Sequence, residues 1–361
     1  MNNQQYMQLA LDEAIKGCGW VNPNPMVGAV IVKDDKIIGK GYHQKYGEWH
    51  AERNALAACY DSTKGATMYV TLEPCCHWGK TPPCTDAIIA SGIAKVVIGS
   101  KDPHSLVAGK GIRILEQHGI EVFTGILEEK CQQLNEVFFH YICSKIPFVV
   151  IKYAMTIDGK TATATGKSQW ITGEIAREHV HRLRHRYSAI MVGVGTVIAD
   201  DPMLSCRLPD SRNPIRIICD TNLRTPIDAK VVQTANEITT FIATATTNSE
   251  KIETLREKNV NIISLPSKNG HINLRELMTV LGEKEIDSIL IEGGATLHAA
   301  ALESGIINKV MAYIAPKIFG GEQAKSAVGG NGIDDPAQAY QLSDGKYTQL
   351  GQDILLEYTL K

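Results

Sequence analysis

The chain has 361 residues, a net charge of −2, and 44% hydrophobic and 21% charged residues, the composition of a globular protein long enough for two cores. No basic excess marks it for nucleic acid, no run of like charge makes a solvated tail, and no apolar stretch is long enough to span a bilayer. Nine scattered cysteines, an odd number, and a first segment without the basic and apolar regions of a signal peptide lead us to expect a cytoplasmic protein whose thiols bind metal or lie buried, without disulfides.

Tyr6, Leu9, Ala10 and Ala14 recur at helical spacing and predict an amphipathic opening helix that stops near Gly17 and Gly19. Asn22-Pro23-Asn24-Pro25 reads as a loop, followed by strands over 27–32 and 36–42 with Asp34-Asp35 as their turn. Asn24 and His43 flank this region as candidate hydrogen-bonding partners of a substrate, against the alternatives of a turn-forming asparagine and an exposed histidine.

His50-Ala51-Glu52 comes next. Two residues apart, His50 and Glu52 do not share a helix stripe, so the pair makes sense at a helix start, with a metal beyond its end and residues 53–58 continuing the helix. A strand over 68–72 leads to Glu73-Pro74-Cys75, and a second Pro-Cys follows at Pro83-Cys84. One imidazole and two thiols suit a tetrahedral Zn²⁺, and a fourth position left to water makes the centre catalytic rather than structural. Zinc brings the pKa of such a water to roughly 7, and Glu52 is the candidate proton carrier beside it. His-x-Glu with Pro-Cys-x-x-Cys is the pattern of zinc nucleobase deaminases. Here the cysteines stand further apart, and Cys76 and His77 between them are competing donors, with Cys76 read as a bystander.

Residues 84–91 read as a helix opening at Cys84, which sets both cysteines near a helix start that favours thiolate. Strands over 95–99 and 121–124, helices over 112–117 and 127–144, and loops at Asp102-Pro103-His104 and Gly109-Lys110-Gly111 complete an α/β layered domain. Lys145-Ile146-Pro147 breaks the pattern and marks the boundary between domains over 1–145 and 146–361. The second half restarts with a strand over 148–153 and a helix capped by Thr172 that carries His181-Arg182-Leu183-Arg184-His185-Arg186. Strands over 189–194, 215–220, 239–243, 261–264, 288–292 and 309–314 alternate with helices in a nucleotide-binding layout. Gly193-Val194-Gly195-Thr196 and Glu292-Gly293-Gly294 are candidate pyrophosphate cradles, yet neither is a G-x-G-x-x-G fingerprint, and a standard dinucleotide fold is not assigned.

Over nearly its full length the chain resembles the bifunctional deaminase/reductases of riboflavin biosynthesis. The first half carries the likeness through Asn22-Pro23-Asn24-Pro25, Gly41-Tyr42-His43, His50-Ala51-Glu52, Thr71-Leu72-Glu73-Pro74-Cys75 and Lys80-Thr81-Pro82-Pro83-Cys84. The second carries it through Asp158-Gly159, Ser168-Gln169-Trp170-Ile171-Thr172, Gly195-Thr196, Ala199-Asp200-Asp201-Pro202 and Glu292-Gly293-Gly294. The resemblance implies a cytidine-deaminase-like three-layer α/β domain, a zinc-dependent pyrimidine deaminase, followed by a dihydrofolate-reductase-like α/β domain, an NADPH-dependent reductase. The implied substrate is 2,5-diamino-6-ribosylamino-4(3H)-pyrimidinone 5′-phosphate, deaminated first and then reduced from ribosyl to ribityl.

Carried onto this sequence, the resemblance gives His50, Cys75 and Cys84 one zinc per chain and gives Glu52 the proton transfers. Asn24 and His43 position the ring, while His77 and Lys80 meet the phosphate. Ala154, Trp170, Thr196, Asp200, Thr221, Gly294, Ala295, Thr296 and Leu297 hold NADPH, with Arg224 a candidate for its 2′-phosphate. Ser168, Arg184, Leu204, Arg207 and Glu292 hold the substrate, the two arginines being suited to phosphate, and Lys152 and Asp200 are candidate proton-handling groups. The alternative for Lys152 is an edge-strand lysine facing water. The expected partner is a small molecule rather than nucleic acid or membrane, and the expected assembly a homodimer or homotetramer. A nucleic-acid deaminase is disfavoured by the near-neutral charge, and a zinc-stabilised scaffold by Glu52, since a structural site takes a fourth protein ligand.

Overall fold

Side chains that alternate between two apolar surfaces decide the layering of Met1–Lys145, one of the two compact units of this computed structural model; the other is Ile146–Lys361. The structure describes residues 1–104, 107–268 and 270–361. In chain order the first unit contains α1 (Asn3–Ala14), β1 (Gly28–Lys33), β2 (Lys36–Tyr42), α2 (Ala51–Ala57), β3 (Thr67–Leu72), α3 (Cys84–Ala90), β4 (Lys95–Ser100), α4 (Lys110–Gln117), β5 (Glu121–Thr124), α5 (Glu128–Leu134) and α6 (Glu136–Ser144). The sheet order is β2-β1-β3-β4-β5, with β1 antiparallel to β2 and β3, and β3, β4 and β5 parallel. Ala29, Ile31, Met68, Val70, Val96 and Ile98 face α2, α3 and α4 through Ala51, Ala55, Ile88 and Leu115. Val30, Val32, Tyr69 and Val97 face α1 and α5 through Met7, Ala10, Leu11 and Cys131. Three layers follow from that alternation.

The single helix predicted over 127–144 is two helices. Asn135 interrupts it, because its buried amide accepts from Met26 N at 2.8 Å and donates to Met26 O at 2.9 Å, a tertiary pairing that outweighs helix continuation. The break turns Phe138 and Ile142 of α6 toward the metal-ligand cluster.

The second unit runs β6 (Phe148–Thr156), α7 (Glu174–Arg186), β7 (Ala189–Gly193), α8 (Val194–Asp200), β8 (Ile215–Cys219), α9 (Lys230–Gln233), β9 (Thr240–Thr244), α10 (Ser249–Glu257), β10 (Asn261–Ser264), a small hairpin of β11 (Ser267–Lys268) and β12 (His271–Ile272), α11 (Leu274–Glu283), β13 (Ser288–Gly293), α12 (Ala295–Glu303), β14 (Lys309–Ala315), β15 (Leu342–Leu350) and β16 (Asp353–Leu360). Its main sheet is ordered β10-β9-β8-β7-β13-β6-β14-β16-β15. The strands from β10 to β14 are parallel, and β16 and β15 add to them antiparallel. One face packs on α11 and α12 and the other on α8, α9 and α10, so most of the parallel strands are apolar on both sides.

One reading of the sequence changes here, and one alternative falls away. Thr172 does not cap α7: Gly173 takes the cap position in extended backbone and donates its N–H to Asp353 Oδ2 at 2.7 Å, a carboxylate brought from β16. Lys152 is not on an edge, because β6 lies between β13 and β14. Among the described residues no helix is long and apolar enough to cross a membrane.

Helix α2 presses on β2 at Gly41, where an added Cβ would overlap the Ala55 nitrogen and come within 2.6 Å of the Asn54 carbonyl carbon. Gly41→Ala is therefore expected to lower the unfolding temperature of the first unit by about 5 °C or more in calorimetry of the full chain. An unchanged transition would contradict this packing.

Candidate active sites

Three loop and helix ends bring the predicted metal ligands together. His50 is the N-cap of α2 in extended backbone, Cys84 is the first residue of α3, and Cys75 lies beyond the end of β3. The Cys84 and Thr85 N–H groups donate to the Cys75 carbonyl at 3.0 and 3.2 Å, which locks the Cys75 loop onto the start of α3. His50 Nδ1 lies 3.4 Å from both sulfurs, and the three donor atoms are within 4.8 Å of one another. Zn–S bonds of about 2.3 Å and Zn–N bonds of about 2.0 Å in a tetrahedron place sulfur and nitrogen about 3.5 Å apart, so the residues fit zinc. Cys76 is not part of this cluster.

Charge at the cluster is shaped by burial and by the second thiol. The Cys84 thiol donates toward Cys75 and, with His50, draws the Cys75 thiol down to about 4 against the opposing effect of burial; its partner Cys84 is pushed up. Glu52 is 3% exposed, and burial raises its carboxyl above the ordinary range, as suits a group that must carry a proton. His43 is also buried, which lowers it to about 4 and keeps the ring neutral. Its Nδ1 lies 3.0 Å from Trp49 O and its Nε2 3.2 Å from Asn24 Nδ2; with the hydrogen on Nδ1, the ring donates to the carbonyl and accepts from the amide. Asn24, His43, Glu52, His77 and Lys80 line one cleft of 260 Å³ with His50 and Cys75. His77 Nδ1 is buried there without a hydrogen-bond partner among the described residues, and Lys80 Nζ stands 3.8 Å from the Tyr46 ring centroid.

The sequence reading missed Asp102, His104, Phe138 and Ile142, which line the same cleft. A signal for the first two exists: β3 and β4 are parallel neighbours, so Asp102 beyond β4 emerges at the same sheet end as Cys75 beyond β3.

The second unit opens a cleft of 560 Å³ outside the carboxyl ends of β7 and β13, where the chain crosses from one side of the sheet to the other. Ser168, Thr196, Asp200, Thr221, Arg224 and the turn from Gly294 to Leu297 line it. Gly294, at φ +89°, opens α12 without a side-chain cap, and a Cβ on Gly293 would meet Thr196 Oγ1 at 3.1 Å. Close packing at the glycines and uncapped N–H groups fit a nicotinamide dinucleotide with its pyrophosphate on the helix start.

Ala154, Trp170, Lys152, Arg184, Leu204, Arg207 and Glu292 do not line this cleft. Trp170 is 58% exposed, under the Arg177 guanidinium at 4.7 Å. Lys152, Arg184 and Glu292 form an ionic cluster. Arg184 donates from Nε and Nη2 to the two Glu292 oxygens at 2.7 and 2.9 Å and from Nη1 to Ser205 O at 2.9 Å, and Lys152 Nζ lies 3.8 Å from Glu292. Burial alone would raise the Glu292 carboxyl, but Arg184 and Lys152 overcome it and hold it at about 2. Burial lowers the Lys152 ammonium, with Glu292 opposing. Leu204 sits in the left-handed region at φ +51°, a strained position for a leucine of the kind found at functional sites.

Residues 1–100 match the family model of the cytidine and deoxycytidylate deaminase zinc-binding region, and residues 147–356 that of the RibD C-terminal domain. The riboflavin biosynthesis protein RibD of Actinobacillus pleuropneumoniae is 53% identical over 360 residues, covering 100% of this chain and 96% of that one. The chain belongs to the RibD family. The Escherichia coli RibD is 40% identical, with 99% of both chains covered. Among solved structures, an Acinetobacter baumannii RibD and a deaminase/reductase from Thermotoga maritima are each 37% identical over 99% of both chains, with TM-scores of 0.88 and 0.87. This RibD-family chain is thus a bifunctional enzyme of riboflavin biosynthesis, a zinc-dependent deaminase and an NADPH-dependent reductase, built as a cytidine-deaminase-like domain followed by a RibD reductase domain.

The ionic cluster sets a pH dependence. Glu292 binds a proton near its ordinary 4.5 in the unfolded chain but only near 2 in the folded one. The unfolded state therefore binds more protons between those values, and the stability Glu292 contributes is lost as pH falls through that window. In urea unfolding, the deficit of Glu292→Gln relative to the parent is expected to shrink from about pH 5 to about pH 3. A deficit independent of pH would contradict it.

Proposed function

We propose that Met1–Lys145 removes an amino group from a diaminopyrimidine ribosyl phosphate and that Ile146–Lys361 reduces the ribosyl chain of the product. The Thermotoga maritima relative is a diaminohydroxyphosphoribosylaminopyrimidine deaminase and 5-amino-6-(5-phosphoribosylamino)uracil reductase, which supports 2,5-diamino-6-ribosylamino-4(3H)-pyrimidinone 5′-phosphate as the first substrate here. The observation that carries the reading is the triangle of His50, Cys75 and Cys84 with the buried Glu52 beside it.

His50, Cys75 and Cys84 would hold zinc, which would supply acidification of a water and polarisation of the reacting centre at neutral pH. Glu52 would take one proton of the attacking water and pass it to the ring nitrogen, then take the second from the oxygen now bonded to the ring carbon and deliver it to the amino group, which leaves as ammonia. Asn24 and the neutral His43 orient the ring, and His77 and Lys80 receive the phosphate. NADPH bound in the second unit would supply a hydride to the ribosyl carbon bonded to nitrogen. Thr196, Asp200, Thr221 and the start of α12 hold the dinucleotide, and Arg224 in the same cleft suits its 2′-phosphate. Ala154 and Trp170 border the nicotinamide end. Ser168, Leu204, Glu292 and the arginines hold the substrate, and Lys152 or Asp200 supplies the proton that the ribose ring oxygen takes as the sugar opens. We further propose a cytoplasmic homodimer or homotetramer, a reading supported by nine free thiols and by Leu342, Tyr347 and Ile354 exposed on the β15–β16 hairpin.

Glu52→Gln is expected to retain zinc and the reductase activity while ammonia release falls by about three orders of magnitude or more, in the upper part of the span usual for one general acid–base group because Glu52 serves both proton transfers. Metal analysis with an ammonia-release assay checks it; normal turnover in this variant would remove Glu52 from the mechanism.

A further inference from the structure

Helix α7 lays one face against the loop over 205–212, and four contacts fasten the two together. Arg184 Nη1 donates to Ser205 O at 2.9 Å, and the Cys206 thiol reaches His181 O at 3.2 Å. Arg212 N donates to His185 Nδ1 at 3.1 Å. The fourth contact joins two side chains, one of them proposed above to bind substrate: the Arg207 guanidinium places Nε at 3.2 Å and Nη2 at 3.1 Å from His181 Nε2.

That contact constrains the imidazole. A guanidinium has only donors, so His181 Nε2 must carry a lone pair, and the ring hydrogen sits on Nδ1. Arg207 N also lies 3.3 Å from Nδ1, but a neutral ring has one acceptor nitrogen, and the charge-assisted bond to the guanidinium is the stronger claim on it. A protonated ring would meet Arg207 with no acceptor at all. Burial together with the charges of Arg184 and Arg207 lowers His181 to about 4, consistent with a ring that stays neutral.

Arg207 itself is exposed, and no carboxylate pairs with it among the described residues. Arg184, the other arginine of the site, already uses three N–H groups on Glu292 and Ser205. An exposed arginine without a counter-charge samples many rotamers, and holding it in one before the ligand arrives lowers the entropic cost of binding. We infer that His181 is a positioning residue that holds the Arg207 guanidinium ready for the substrate phosphate through Nε2. The inference rests on the reading that Arg207 takes that phosphate.

The test uses the full-length, zinc-loaded enzyme with 5-amino-6-(5-phosphoribosylamino)uracil and its dephosphorylated riboside as paired probes, following NADPH oxidation. His181→Leu removes the acceptor while keeping the bulk. It is expected to raise KM for the phosphorylated probe about tenfold, the loss of one charge-assisted bond, with kcat within about twofold and the riboside kinetics unchanged. His181→Gln, whose Oε1 can stand where Nε2 stood, is expected to restore KM to within about threefold of the parent. The riboside kinetics report in the same variant that the second unit is folded.

Arg207→Met separates the two claims. If it raises KM for the phosphorylated probe and His181→Leu does not, the inference fails and the role of Arg207 stands. If Arg207→Met leaves that KM unchanged, both fall. If His181→Leu raises KM equally for the phosphorylated probe and the riboside, or if His181→Gln fails to rescue, the histidine acts only through the packing of α7 and the inference is overturned.

Discussion

Three donor atoms from three separate pieces of backbone must meet within a few ångströms, and the geometry of the first unit serves that meeting. His50 Nδ1 is 3.4 Å from each sulfur because α2 begins at His50, α3 begins at Cys84, and the Cys75 carbonyl is tied to the first N–H groups of α3. Two helix starts facing the same point favour negative charge on the sulfurs there. The sheet supplies the platform, since parallel β3 and β4 deliver their following loops to one end. Glu73 adds a brace: its buried carboxylate accepts from Gly109 N at 3.0 Å and Ile112 N at 3.3 Å, fixing the segment before Cys75 to the start of α4.

The second unit solves a different problem, the placement of charge. Among the described residues Lys152 and Arg184 surround a single carboxylate, Glu292, and Arg207 stands nearby without one, so this region carries more positive than negative charge. An excess of cations in a partly buried site is costly until an anion arrives. The β7 and β13 ends and the start of α12 form the cleft that suits the dinucleotide.

Much of this was legible in the residues, and the failures have physical causes. His50-Ala51-Glu52 announced a helix start because residues two apart cannot share a helix face, and the helix begins where that argument put it. Apolar runs such as 189–194 and 288–292 identified buried parallel strands to within a residue or so. The helix break at Asn135 was hidden because it is caused by Met26, more than a hundred positions away in sequence. Thr172 had the right chemistry for a cap, but Asp353, from the other end of the unit, supplies the acceptor instead. The β15–β16 hairpin was missed because β15 is mostly exposed and shows no clean alternation of apolar and polar residues. Asp102 and His104 read as an ordinary loop, and their place in the cleft became visible only once β3 and β4 were known to be parallel neighbours.

Catalysis in the first unit depends on what surrounds the metal. X-ray absorption at the zinc edge of the purified full chain measures the number and type of neighbouring atoms directly. It is expected to show two sulfur neighbours at about 2.3 Å and two lighter atoms, one of them imidazole nitrogen, at about 2.0 Å. Three or more sulfur neighbours, which would bring in Cys76 and close the fourth position, would contradict a catalytic centre here.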